Sequence, residues 1–171
     1  MAHTILLELP AELRNHIYRA TLCGDHPIYL LGPCRQPALL RTCRQIRREA
    51  ASIYYKENDF RVAAIGFNTS TALAFERQAR AVVDFAGSIY RVTITSRKYS
   101  WAGLKLWLKA YYDSEAENMV HTDGDSLSAP YYMAVKAFEM VALLREDSEW
   151  DKVEKVLDKY QEATIGVMKW K

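Results

Sequence analysis

The apolar positions of the chain form a series of helix-period stripes, interrupted by two short stretches of strand character. The first stripe is Leu9, Leu13 and Ile17, with Tyr18 and Leu22 beside it. Spacings of four on one face predict a helix. Pro10 suits the first turn, where no N–H is needed. Glu12 complements the positive end of the helix dipole, and Gly24 is a stop. From Cys23 to Gln36 the punctuation by Gly24, Pro27, Gly32 and Pro33 predicts a loop. Within it, Ile28-Tyr29-Leu30-Leu31 is either a brief strand or an apolar anchor.

The clearest stripe begins after Pro37. Leu39, Cys43, Ile46, Ala50 and Ile53 recur at four, three, four and three, which predicts one helix ending near Lys56. Cys43 and Ile46 should be buried. Arg41, Arg44, Arg47, Arg48 and Glu49 lie on the opposite face, with the arginines at least partly exposed. Asn58-Asp59 then turn the chain into a short strand, Phe60-Arg61-Val62.

Asn68-Thr69-Ser70 supplies capping residues for a further helix. Its buried face is Phe75, Ala79, Val82, Val83 and Ala86, and Gly87 ends it. Ile89 to Thr95 alternates Tyr90, Val92 and Ile94 with Arg91, Thr93 and Thr95, the best strand pattern in the chain. Ser100 caps a helix with Trp101, Leu104, Trp107, Leu108 and Tyr111 inside. Asp113 to Pro130 is a polar, exposed loop. Tyr131 to Glu146 is helical, with Val135, Phe138, Val141 and Ala142 inward. A last helix starts with Ser148 as cap and Asp151 reaching back to it. Trp150, Val153, Leu157 and Tyr160 form its stripe, and the tail from Thr164 to Lys171 prolongs it. Two strands separated by a helix fit a parallel pair joined by a right-handed crossover.

The fold class is therefore α+β and mainly helical: an N-terminal helical hairpin, then a small strand pair packed under helices. Residues 1–60 and 61–171 are the two segments of one continuous domain, a size that suits 171 residues. The chain has no apolar run long enough to cross a membrane and no secretory-signal pattern at its start. Three cysteines without a C-x-x-C pair point to reduced thiols, hence to the cytoplasm or nucleus.

A net charge of +2 is too small to imply a polyanionic partner, but its distribution is uneven. Residues 61–112 hold eight Lys/Arg against two Asp/Glu, and residues 113–171 hold seven against thirteen. Mutual attraction within one fold accounts for this, and a basic patch is the sharper alternative.

No constellation for chemistry emerges. A G-x-S-x-G turn, a P-loop and a G-x-G-x-x-G are all absent. His3, His16, His26 and His121 sit in polar or terminal surroundings. Cys43 reads as a buried small hydrophobe. Cys23, His26 and Cys34 lack the paired spacing of a zinc site. Asp123-Gly124-Asp125 lacks the other ligands of a calcium loop. The expectation is no enzyme, no cofactor and no metal. The arginine face of the second helix suits solvent or a protein contact, because the preceding loop is too long for a helix-turn-helix reader.

Three stretches carry a family likeness. Leu6-Leu7-Glu8-Leu9-Pro10-Ala11-Glu12-Leu13-Arg14-Asn15-His16-Ile17-Tyr18 is followed by Pro37-Ala38-Leu39-Leu40-Arg41-Thr42-Cys43-Arg44-Gln45-Ile46-Arg47-Arg48-Glu49-Ala50 and by Tyr54-Tyr55-Lys56-Glu57-Asn58-Asp59-Phe60. Together they resemble fungal F-box-like proteins, over about a third of the chain. The resemblance implies a helical adaptor that binds a Skp-type protein of a cullin–RING ubiquitin ligase and holds a substrate with the rest of its chain. Carried over by position, it places Leu9, Pro10, Leu13 and Ile17 on the partner-contacting face. Leu39, Leu40, Cys43 and Ile46 would complete that face or support it from beneath. If Leu9, Leu13 and Ile17 pack on the second helix, no apolar face is left for an adaptor; if they are exposed, the chain presents an interface patch. The alternative is a stand-alone structural or regulatory domain that binds protein or RNA through residues 61–112, with Arg91, Arg97, Lys98, Lys105 and Lys109 as the contact residues.

Overall fold

Helix α1 (Ile5–Glu8) is a single turn, and Pro10 sets extended backbone before α2 (Ala11–Leu22). Strand β1 (Ile28–Leu30) follows, then a 3-10 turn at Ala38–Arg41, α3 (Arg44–Glu57), β2 (Phe60–Ala64), α4 (Ser70–Arg80) and β3 (Tyr90–Ile94). Helices α5 (Trp101–Tyr112), α6 (Ala129–Leu144) and α7 (Trp150–Thr164) complete the chain. The computed structural model describes residues 5–32, 35–85, 87, 89–94, 99–118, 129–167 and 169–170.

Among the described residues the sheet has three strands, not the expected pair. Its order is β1-β2-β3 and both pairings are parallel, with Tyr29, Arg61 and Arg91 in register across it. Ile28-Tyr29-Leu30 is thus a strand; a three-residue segment is too short for alternation to declare itself. Along β2, Phe60, Val62 and Ala64 are buried and Arg61 and Ala63 only half-buried. Helices α3 and α4 both pack on the Phe60 side. Tyr54, from α3, and Phe75, from α4, meet the Phe60 ring at centroid distances of 5.2 and 4.7 Å.

The second predicted helix is two pieces. Pro37 opens only the 3-10 turn, and Cys43 stands in extended backbone (φ −150°, ψ 167°) as the N-cap of α3, its Sγ accepting from the Ile46 N–H. Leu39 and Cys43 therefore do not share a helix with Ile46, and Cys43 is half-buried rather than buried. Leu40 supplies the core contact from the 3-10 turn instead, wholly buried. Ile46, Ala50 and Ile53 are buried as expected, while Arg44 and Arg48 are exposed.

Other departures have local causes. Helix α4 stops at Arg80 rather than at Gly87, and Ala86 lies outside the described residues. Asn68 caps α4 by accepting from the Ser70 N–H, and its Thr69 cap position makes no side-chain bond. On α6 the inward face is Met133, Ala134, Ala137, Phe138 and Val141, with Ala142 exposed. The Ser148 cap is not formed, because Glu149 takes the cap position and the Ser148 carbonyl accepts from the Tyr112 hydroxyl. The last helix ends at Thr164, short of the expected tail.

Two apolar clusters result. One gathers α2, β1, α3, β2 and α4 around Tyr55, Phe60 and Phe75, and reaches Tyr90; the other gathers α5, α6 and α7 around Leu104, Trp107, Phe138 and Leu157. The turn after β2 joins them. Gly66 and Phe67 both adopt positive φ (60° and 70°), a cost offset by the complete burial of the Phe67 ring in the second cluster. Ser100 donates its N–H to the Gly66 carbonyl, and its hydroxyl caps α5 at Gly103. A Cβ at Gly103 would stand 3.2 Å from backbone atoms of Phe67 and Asn68, so only glycine lets α5 approach this closely.

Candidate protein-interaction surface

Of the two orientations the sequence leaves open for α2, the structure takes the one with Leu13 and Ile17 outward. Tyr18 and Leu22 point inward, with half-buried Arg14 one turn before them. Arg14 can turn inward because α3 provides a carboxylate. Its Nε and Nη2 donate to the two oxygens of Glu49, each at 2.8 Å, and its Nη1 donates to the Leu9 carbonyl at 2.6 Å. The Tyr18 hydroxyl donates to Glu49 at 2.9 Å and Gln45 Nε2 donates at 3.0 Å. Four donors converge on one carboxylate, and its pKa is held down at about 2, first by Arg14 and then by Gln45. Burial, and then the bond to Glu49, raise the Tyr18 phenol above its usual value.

Two further contacts fix α2 along its length. Arg19 and Glu57 form a second two-pronged pair on the surface, which lowers the Glu57 pKa. Asn58, buried at the end of α3, donates to the Leu22 and Tyr54 carbonyls and accepts from the Gly24 N–H. Its amide thereby closes the C-terminal ends of both helices, as unpaired terminal carbonyls require.

With the polar groups turned inward, the apolar ones turn out. Pro10, Leu13, Ile17 and Ala20 follow at three, four and three, and all are exposed, Leu13 by 50% and Ile17 by 38%. Leu9 and Leu39 are half-buried. Of the eight residues placed by resemblance, Pro10, Leu13 and Ile17 thus share one outer stripe. Leu40, at 0% exposure, has no surface to offer.

The residues of the basic alternative are dispersed among acids. Lys105 lies 3.0 Å from both Glu154 and Asp158, and Lys109 pairs with Asp113. Arg77, from the same basic segment, pairs with Glu115. The basic middle and the acidic end of the chain therefore meet within the fold. Arg91 lies on β3, and Arg97 and Lys98 fall outside the described residues.

Among the described residues no group of three or more His, Cys, Asp or Glu side chains is placed to hold a metal ion. Cys34 of the proposed trio, His3, His121 and the Asp123-Gly124-Asp125 turn lie outside them. The Cys23 thiol is raised by burial, then by Glu57, the opposite of what a reactive thiolate needs. Among the described residues no helix is long and apolar enough to cross a membrane.

The polar residue that sequence reasoning missed is Glu76, fully buried on α4. It accepts from Arg80 at 2.7 Å and from the Tyr90 hydroxyl at 2.8 Å, which ties α4 to β3. An i,i+4 Glu-Arg pair on a helix is ordinarily a surface feature, so nothing in the spacing marks this one as buried.

Comparison with known proteins gives no match: no family model, no curated protein and no solved structure matches the chain.

Proposed function

We propose that the chain is a non-catalytic protein-interaction adaptor of F-box-like type, acting in the cytoplasm or nucleus, whose α2 stripe docks a Skp-type partner. The observation that carries the reading is the outward placement of Leu13 and Ile17 on a helix anchored from behind by Arg14, Tyr18 and Glu49. Apolar side chains at i, i+4 on an outward helix face, with Pro10 and Ala20 extending the stripe, fit the anchor pattern of helix-in-groove recognition. Removing the exposed halves of Leu13 and Ile17 from water would contribute about 2 kcal/mol together. A carboxylate at either place would lose that and bring an unpaired charge into the interface.

The test is capture of a purified Skp-type adaptor by the full chain. Capture by the wild type that is lost in Leu13→Asp and in Ile17→Asp, with unchanged circular dichroism, supports the reading. No capture by the wild type, or capture indifferent to both substitutions, overturns it.

The alternative, a stand-alone structural or regulatory domain binding another protein or RNA through residues 61–112, has less support. Lys105, Lys109 and Arg77 are already engaged by carboxylates of the same chain, which competes with phosphate.

A further inference from the structure

Arg14, Arg19, Arg61, Arg77 and Arg80 each meet a carboxylate of the same chain. The start of α3 is different. From residue 26 to residue 48 the chain carries Arg35, Arg41, Arg44, Arg47 and Arg48 and no acid. Arg41, Arg44 and Arg48 are exposed, and their side chains make no ion pair or hydrogen bond among the described residues. Arg44 and Arg48 stand one turn apart, about 6 Å along the helix. Arg41 ends the 3-10 turn, which Arg47 holds against α3 by donating from Nε to the Leu40 carbonyl at 2.8 Å. Three residues of chain keep Arg41 within about 11 Å of Arg44. Cations in the first turn of a helix oppose its dipole, and α3 has no acid there. These guanidinium groups therefore do not serve the stability of the fold.

The turn between α6 and α7 is the counterpart. Glu146, Asp147, Glu149 and Asp151 are all exposed, and none of their carboxylates meets a cation among the described residues. No cation falls between Glu146 and Asp151 in sequence; Arg145 and Lys152 flank the run. Arg145 is turned toward α5, where its Nη2 donates to the Ser114 hydroxyl at 2.8 Å and its guanidinium lies over the Tyr111 ring. The turn is held in place. The Asp147 N–H donates to the Leu144 carbonyl, and the Ser148 carbonyl accepts from the Tyr112 hydroxyl at 2.9 Å. Leu143, in the last turn of α6, is 79% exposed. Glu149 and Asp151 also suit the positive end of α7, a structural reason that the α3 arginines lack.

We propose that the arginine face at the start of α3 binds the acidic turn between α6 and α7 of a second copy of this chain, so that copies associate head to tail. Planar guanidinium groups pair with carboxylates through two parallel N–H bonds. Glu149 and Asp151, two residues apart, lie within about 7 Å of each other, which matches the rise from Arg44 to Arg48. Leu143 gives the turn an apolar neighbour for the methylene stems of the arginines. The contact joins two different patches, so it is heterologous: every copy at an end keeps one patch open, and growth gives short chains or a ring. A polynucleotide fits less well, because three cations at one end of a helix are a short track for successive phosphates. The interface uses neither Leu13 nor Ile17 and does not rest on the adaptor reading.

The test is sedimentation velocity of the full chain alone, over a concentration series at low and high salt. Concentration-dependent association is expected at low salt and should fade as salt is added. Arg44→Gln with Arg48→Gln should weaken it about tenfold or more, and so should Glu149→Gln with Asp151→Asn. Glu146→Gln with Asp147→Asn, outside α7, is the second variant of the turn. Lys159→Gln, on the exposed side of α7, should leave association unchanged. Each neutralised variant keeps one intact patch, so mixing the arginine variant with a turn variant should restore a complex that stops at one copy of each. A chain that stays monomeric at every concentration overturns the proposal, as does association indifferent to the arginine pair or a mixture that stays monomeric. Association lost in Leu13→Asp but kept in the arginine variant overturns it too, since the copies then meet through α2. So does a single-stranded oligonucleotide that binds through these arginines while the chain alone stays monomeric. Self-association is read without any Skp-type protein present, so its failure and the failure of the adaptor reading are distinguished.

Discussion

Arg14 and Glu49, thirty-five residues apart in sequence, face each other through two hydrogen bonds of 2.8 Å and lock α2 against α3. Depression of the Glu49 pKa to about 2 means that the folded state holds the ionised carboxylate more strongly than the unfolded chain does. The corresponding stability is fully present above the ordinary carboxylate pKa of 4.5 and is lost as pH falls from there toward 2. Glu49→Gln should therefore flatten this part of the stability–pH profile, as urea unfolding at a series of pH values would measure. An unchanged acid limb in the variant would show that other carboxylates dominate it.

Asn58 satisfies three backbone groups from a buried position. Asn58→Ala leaves two carbonyls and an N–H without this partner and should cost about 1–3 kcal/mol. Asn58→Asp should not restore the loss, because a carboxylate cannot donate to the Leu22 and Tyr54 carbonyls. Chemical denaturation of the two variants compares them directly.

Gly103 sits where α5 meets backbone of the turn after β2. The atoms facing it include the Phe67 carbonyl carbon and the Gly66 carbonyl oxygen, main chain already at positive φ, which cannot easily yield. Gly103→Ala should destabilise by about 1–3 kcal/mol despite the better helix propensity of alanine. A thermal melt at or above the wild-type midpoint would show that the turn can shift.

Ile46 and Arg48 lie two residues apart on α3, one buried at 3% exposure and the other exposed. Ile46→Ala should cost about 2–5 kcal/mol. Arg48→Ala should stay within about 0.5 kcal/mol. Equal losses in the two melts would place a structural contact on Arg48.

Where a stripe exceeded two turns a helix was readable: α5 starts at its Ser100 cap, α7 follows its apolar stripe although Ser148 does not cap it, α3 follows the later part of its stripe, and β3 lies where residues alternate. Which face of α2 is buried was not readable. Its period-four apolar row, Leu9-Leu13-Ile17, competes with the row Arg14-Tyr18-Leu22, and hydrophobicity alone does not choose between them. The decision rests on Glu49 and Gln45, supplied by another helix, so no local pattern contains it. Cys43 misleads for a related reason: a thiol reads as a small hydrophobe, yet here its sulfur accepts the Ile46 N–H and starts the helix. The candidate surface became visible through the resemblance that Leu13 and Ile17 carry, and the row of Tyr29, Arg61 and Arg91 across the sheet only through the strand register.

The all-parallel sheet also bears on how the chain can be made and cut. Ile28 pairs opposite Phe60, and Phe60 opposite Tyr90, so each pairing closes a span of about thirty residues, at an entropic cost of about 3 kcal/mol. A nascent chain emerging from a ribosome cannot pair both edges of β2 before β3 has been synthesised. A proteolytic or recombinant fragment ending at residue 60 would keep Arg14, Glu49 and the outward stripe, but lose Phe75 from the ring stack on Phe60. The outward stripe of α2 is therefore backed by the first ninety residues together, and truncation mapping against the proposed Skp-type partner should find a threshold near β3 rather than a gradual decline.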